Sequence, residues 1–463
     1  MDIASLINNR LSETYALHRR YINPQLVRVL EVIGFNRNFT RAGGARLMDE
    51  QGREVLDFLA GFGVFNIGRN HPLVAQVLKD MIDMAPASMV QMGVGLPAGL
   101  LAEALATLAP GNLEAVFFTN SGTEGVEGAL KMARQATGKS KIIYCDRAFH
   151  GLTLGALSVN GNEEFRERNE PLLPNCVPVP FNDLKALEAA LSEGDAAAFI
   201  VEPVQGKGVF IPDPDYLPGA RNLCDRYGAL LIADEVQTGL GRTGRMFAVE
   251  HWGVVPDLLV ISKSLSGGFV PVGAVITRRN IHGKVFDSMD RCFAHSNTFG
   301  QNDLAMAAGL ATLQVIEQEN LVQQSAVMGA YLEKGLRELA EKYELITEIR
   351  AKGLMIGIQF GKPASLSLKT GWPYLLKTGL HKMNVDLFCQ MITMPLMEKH
   401  QILTQVAGHG SDTVKILPPL VIDKSDADHF LEALDDVLMN AHKFPGSAWT
   451  TVKNLGVRTA RTA

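Results

Sequence analysis

Short runs of apolar, β-branched residues alternate with stretches of helical period through the middle of the chain. Ala115–Thr119, Lys141–Cys145, Ala198–Val201, Ala229–Ala233, Leu258–Ile261 and Val272–Ile276 read as buried strands. Between several of them the spacing predicts amphipathic helices, as at Gly125–Gln135 and Tyr216–Tyr227. Such alternation implies an α/β fold with a mainly parallel sheet covered by helices on both faces. Ligands of such sheets bind outside the carboxyl ends of the strands.

The two ends of the chain have a different texture. Leu11–Val32 reads as helix, and Gly61–Gly68 as a glycine-punctuated loop. After about residue 320 the pattern becomes helix, then the strand Leu354–Phe360, then helix, as in a smaller α+β domain. The expected division is 1–70 as an N-terminal helix with part of the small domain, 71–320 as the large domain, and 321–444 as the C-terminal part of the small domain. Residues 445–463 are polar and basic and read as a disordered tail. The stretch Trp372–Met397 holds more apolar side chains than one amphipathic helix needs, among them Trp372, Tyr374, Met383, Met391 and Met394. It serves either as core and interface packing or as a hydrophobic wall for a bulky ligand.

Composition narrows the chemistry. A net charge of −5 gives no reason to expect nucleic acid or an anionic membrane surface as partner. No apolar run is long enough to span a membrane, and the first residues lack the apolar core of a signal peptide. The 5 cysteines are dispersed, with no CxxC pair and no histidine cluster at ligand spacing, which points to reduced thiols, a cytoplasmic setting and no metal site.

Candidate chemistry centres on Lys263, which ends the run Asp257–Lys263 and precedes Ser264-Leu-Ser-Gly-Gly268. A lysine at the carboxyl end of a buried strand loses hydration, which favours a nucleophilic neutral amine able to form a Schiff base; the same position also suits a lysine that merely reaches solvent. Asn120-Ser121-Gly122-Thr123-Glu124 follows a strand and opens a helix, so it is either an anion cradle suited to phosphate or an ordinary N-cap. Asp234-Glu235 ends another strand, and a buried carboxylate there needs a cationic partner: a protonated pyridine nitrogen, a salt bridge or a metal. Phe149, beside His150, would stack on a flat ring or fill the core. Ser296–Gly300 is a second polar loop opening a helix. Two motifs mislead. Gly239-Leu-Gly241-Arg-Thr-Gly244 matches the dinucleotide fingerprint without its βαβ context, and Gly138-Lys139-Ser140 ends a helix where a P-loop must start one.

Taken together and in order, Asn120–Glu124, Phe149-His150-Gly151, Val201–Gly206, Ile232–Gly239, Gly241–Gly244 and the Lys263 segment resemble the class III aminotransferases, over residues from about 20 to 440. Asn23-Pro24, Gly61–Gly68 and Pro418-Pro-Leu420 are most similar to the putrescine and ornithine-type members. The resemblance implies a fold type I enzyme dependent on pyridoxal 5'-phosphate (PLP), its small domain built from both chain ends. It implies Lys263 as the Schiff-base lysine and proton carrier, Asp234 on the pyridine nitrogen, and Gln237 near the phenolic oxygen. Phe149 and Val236 would sandwich the ring, with His150 nearby. Ser121, Gly122 and Thr123 would hold the phosphate, joined by Thr298 from a second subunit of a homodimer. Glu202, Phe65, Lys207 and Lys415 fall on the substrate side. The reaction implied converts a primary amine, remote from a carboxylate, to an aldehyde or ketone, with 2-oxoglutarate or pyruvate as acceptor. An aminomutase, a decarboxylating transaminase and a silent PLP-binding protein are the alternatives.

The chain departs from the family at two positions. Members using 2-oxoglutarate usually carry glutamate where this chain has Lys207, and arginine where it has Lys415. Lysine lacks the bidentate fork, and two lysines cannot neutralise each other. Either the pair holds an anion, or both lysines are solvated and the acceptor differs, or the gate has drifted without consequence.

Overall fold

The computed structural model describes residues 2–90, 92–361, 387–408 and 411–442. Its centre is a seven-stranded sheet in the order Ala115–Thr119, Gly273–Thr277, Leu258–Ile261, Leu230–Asp234, Ala196–Val201, Lys141–Cys145 and Cys176–Val179. All neighbours pair in parallel except Gly273–Thr277, which runs antiparallel to both strands beside it. The sheet is covered on both faces: every residue of Ala196–Val201, of Leu258–Ile261 and of Gly273–Thr277 is buried. Each large apolar side chain so removed from water contributes about 1.5–3 kcal/mol. The expected strands are present within one or two residues at their ends. Cys176–Val179, not anticipated, forms the sheet's last strand; its Pro178 masks the strand signal and is tolerated because the strand lies at an edge.

Gly122–Thr137 is the helix that matters most for the site. Ser121 caps its start, Oγ accepting from the Glu124 N–H at 3.3 Å, and Gly138 closes it in the left-handed conformation at φ 71°. Another long helix, Asp303–Gln318, packs against the Lys263–Ser266 turn and is capped by Asn302, whose Oδ1 accepts from Ala305 N at 2.9 Å.

Two four-stranded sheets flank this core. One joins Phe39–Gly43, Arg46–Asp49 and Glu54–Asp57 to Ile402–Leu403, so the two ends of the chain share a sheet. The other holds Ile346–Lys352, Met355–Phe360, Thr413–Ile416 and Gln405–Val406. It carries Lys415, paired with Gly357 and Gln405.

Three expectations need correction or limits. Leu11–Val32 is not one helix: Thr14–Tyr21 and Pro24–Ile33 are separated at Ile22-Asn23, where the Asn23 side chain caps the second helix and Pro24 starts it. Within the apolar stretch Trp372–Met397, residues up to 386 lie outside the described residues, but Met391, Met394 and Met397 are buried. Met394 and Met397 pack with Val32, Phe35 and Val55, so here the methionines are core and not a ligand wall. The expected tail at 445–463 also lies outside the described residues.

Candidate active site

The strands Leu230–Asp234 and Leu258–Ile261 lie side by side and in parallel, so their carboxyl ends deliver Asp234 and Lys263 to the same edge of the sheet. Ser262 ends the second strand with its Oγ donating to Val272 O at 2.7 Å. Lys263 then takes a φ of 27° and opens a short 3₁₀ turn, Lys263–Ser266. A non-glycine residue held at positive φ is strained, and such strain collects where a side chain must be aimed. Lys263 faces a cavity of about 1120 Å³. Burial pushes its ammonium below the ordinary lysine range, partly opposed by the carboxylates of Asp234 and Glu202. Among the described residues its Nζ has no hydrogen-bond partner, so the amine is free for a ligand.

Asp234 is buried and held from two sides. Its Oδ1 accepts from the Val236 N–H at 3.0 Å, and its Oδ2 lies 2.7 Å from His150 Nδ1. Glu235, its neighbour, turns the other way. It accepts from Thr238 Oγ1, Ala248 N and Val249 N, and burial raises its carboxyl to about 7. Of the two adjacent acids only Asp234 serves the cavity.

The phosphate-type cradle forms the cavity's other wall, where Ser121, Gly122 and Thr123 line it. The first N–H groups of Gly122–Thr137 have no intrahelical acceptor. A Cβ on Gly122 would stand 2.8 Å from Val236, and one on Gly151, at φ +125°, would stand 2.3 Å from Thr123 Oγ1. Glycine at both places keeps the approach open. Phe149 lines the cavity, its ring edge-on to Phe165 at 5.4 Å.

Other candidate residues fall in unexpected roles. Glu202 is buried and holds two loops, accepting from Phe149 N at 2.9 Å and from Gly206 N at 2.7 Å; burial raises its pKa. Gln237 is engaged at both ends: Nε2 donates to Phe62 O at 2.8 Å and Oε1 accepts from Lys415 Nζ at 3.1 Å. Among the described lining residues, the aromatic ring from Gly61–Gly68 is Phe62 and not Phe65. Phe65 lies beneath the Arg69 guanidinium, 3.9 Å from its ring centre, and against Gly268. Thr298 is exposed and is not among the residues lining the cavity of its own chain.

The two lysines have separate partners, and neither is fully solvated. Lys415 is buried, its Nζ donating to Gly206 O at 2.7 Å. Burial, with the Lys263 charge adding to it, lowers its pKa to about 7. Lys207 turns away to an ion pair with Glu164 and lies 5.1 Å from the centre of the Phe165 ring. Glu164 and Phe165 were not foreseen. They sit on a short helix, Glu163–Arg166, inside the long excursion between two strands, and nothing in their local sequence marks them.

A model of the family "Aminotransferase class-III" matches residues 31–438. The chain belongs to the class III aminotransferases. Among the curated relatives of this family member is a putrescine aminotransferase from Pectobacterium atrosepticum, 39% identical over 441 residues, covering 92% of this chain and 88% of that one. Another is aminotransferase PigE from a Serratia species, 38% identical over 453 residues and 92% of this chain. The chain spans about half the length of that relative, 53%. Ornithine aminotransferase from Toxoplasma gondii superposes with a TM-score of 0.82 at 28% identity, covering 96% of this chain and 99% of that one. An amine transaminase from an uncultivated Pseudomonas species, solved in its PLP-bound form, gives 0.76 at 28% identity over 87% and 95%.

Class III aminotransferases depend on PLP, and the residues present fit it. A half-buried amine without a partner, a carboxylate locked by histidine and a helix start kept clear by glycine are the three features a pyridoxal ring and its phosphate require.

Proposed function

We propose that this class III member transaminates a primary amine standing apart from any carboxylate, with a keto acid as acceptor. The observation that carries the reading is the convergence of Lys263 and the His150–Asp234 pair on one cavity beside a phosphate-type cradle. PLP, when bound, supplies an electron sink for the carbon that bears the amine. Ser121, Gly122 and Thr123 would hold the phosphate, and Phe149 and Val236 would face the ring. Asp234 would keep positive charge on the ring nitrogen, and His150 keeps Asp234 in place. Lys263 Nζ would take the proton from the donor carbon, and its lowered pKa favours the neutral amine that a base requires.

Acceptor choice would rest on Lys415. A single buried ammonium, lacking arginine's fork, offers one point of attachment to the carboxylate of pyruvate or 2-oxoglutarate. We also propose a homodimer in which Thr298 of a second copy completes the phosphate site. In support, Met92 (91%), Val94 (99%) and Phe293 (67%) stand exposed, as apolar residues awaiting a partner would. The 5 free cysteines suit a reducing, cytoplasmic setting, and no helix among the described residues is long and apolar enough to cross a membrane.

The test is spectroscopic. Purified protein should show the visible absorbance of lysine-bound cofactor, lost in Lys263→Ala, and a primary amine added without acceptor should discharge it. Recovery of the absorbance with 2-oxoglutarate or pyruvate names the acceptor. Discharge with release of carbon dioxide, or with an isomerised product, would replace transamination by decarboxylation or aminomutation.

A further inference from the structure

The cavity has a graded lining. By exposure, its inner end carries Asp234 and Lys415, both buried, with half-buried Lys263, and its outer end carries exposed Glu164 in an ion pair with Lys207. Both members of that pair remain partly accessible, the Glu164 side chain at 28% and that of Lys207 at 17%. The Lys207 stem crosses Gly408 so closely that a Cβ there would stand 2.1 Å from its Cε. The lysine head then rests between the Glu164 carboxylate and the face of Phe165. A carboxylate beside an aromatic face is a site for an alkylammonium. In this structure it holds one, and the group it holds is the same primary ammonium that ends an aliphatic diamine.

We propose that Glu164, with Phe165, is the subsite for the distal ammonium of a diamine donor, and that Lys207 is the built-in occupant the donor displaces. The inference rests on the amine-transamination reading and names its substrate class. The exchange is chemically even, since one primary ammonium replaces another and the flexible lysine stem carries its head back into water. The apolar and aromatic side chains in the lining, Phe149, Phe165 and Val406 among them, suit a methylene chain. Lys415, buried at the inner end, disfavours a second positive charge there and leaves the outer end as the place for it.

The experiment compares α,ω-diamines with monoamines of equal chain length through the discharge of cofactor absorbance without acceptor. Glu164→Gln should lower the diamine-over-monoamine ratio of kcat/KM by about tenfold, the equivalent of one partly screened ionic contact. Glu164→Asp should recover part of it, and Lys207→Met, which removes the competing ammonium, should raise the ratio. Calorimetric titration of a diamine into Lys263→Ala holoenzyme, with and without Glu164→Gln, should show the same weakening without turnover. A ratio unmoved by Glu164→Gln overturns the proposal. So does a native preference for donors ending in a carboxylate that Glu164→Gln strengthens, which would make Lys207 the binding group. Failure of every amine to discharge the absorbance would instead sink the transaminase reading, and the calorimetry would still decide the role of Glu164.

Discussion

His150 Nδ1 lies 2.7 Å from Asp234 Oδ2, with both residues buried at the sheet's carboxyl edge. Asp234 Oδ1 is taken by a backbone N–H, so the carboxylate cannot rotate away from the cavity. A carboxylate fixed in this way can keep a ring nitrogen charged only while it stays ionised. Asp234→Asn should therefore lower kcat by about 10²–10³-fold, the scale for removing one preorganised electrostatic group. His150→Ala frees Asp234 without removing its charge and should cost less, about tenfold, mainly in kcat. Steady-state kinetics on both variants, with cofactor content measured, checks the order.

Lys415 makes the site sensitive to pH. Its buried pKa is about 7, against 10.5 for an unperturbed lysine. Between these values the unfolded chain holds a proton that the folded chain has released, so stability rises with pH across that window. The stability is fully present above the unfolded value and is lost as pH falls through about 7. Lys415→Met should accordingly raise the unfolding temperature most below pH 7 and least near pH 10.5. Acceptor binding runs the other way: KM for the keto acid should rise above pH 7 by up to tenfold per pH unit, as the ammonium is lost, and that slope should vanish in Lys415→Met.

Gly151 combines a φ of +125° with a Cβ position 2.3 Å from Thr123 Oγ1. Gly151→Ala meets both obstacles, a backbone conformation foreign to L-residues and a clash with the cradle. We expect a loss of about 1–3 kcal/mol in stability. PLP should also leave faster on dialysis, read from the decay of visible absorbance.

Arg242 is fully buried and ties three loops together, donating to Leu354 O at 2.9 Å, Pro418 O at 2.5 Å and Asn66 Oδ1 at 2.6 Å. Burial lowers its pKa to about 9. Arg242→Ala strands those acceptors and should cost roughly 3–5 kcal/mol, the range for breaking a buried charged network. Urea denaturation measures it.

Much of this arrangement was legible in the chain. Strand-end positions for Asp234 and Lys263 followed from apolar runs, and the helix start at Ser121 from its N-cap residues. Val236, two residues after Asp234, followed from the same motif. Phe65 did not follow: spacing within Gly61–Gly68 cannot tell which of two aromatic rings meets the cavity, and Phe62 is the one that does. Glu235 is as acidic as Asp234, yet it caps the turn Ala248–Trp252.

Local propensity and periodicity by themselves determined six of the sheet's seven strands, several of its helices and the strand ends that carry Asp234 and Lys263, because these depend on residues near one another in sequence. The motif order placed the chain in its family for the same reason. Tertiary structure alone decided the partners of the charged residues. Lys207 meets Glu164 across 43 residues, and Lys415 meets Gly206 across 209. A charge's partner depends on which loops the folded sheet brings together and how much water they exclude, and neither quantity is written in the spacing of residues along the chain.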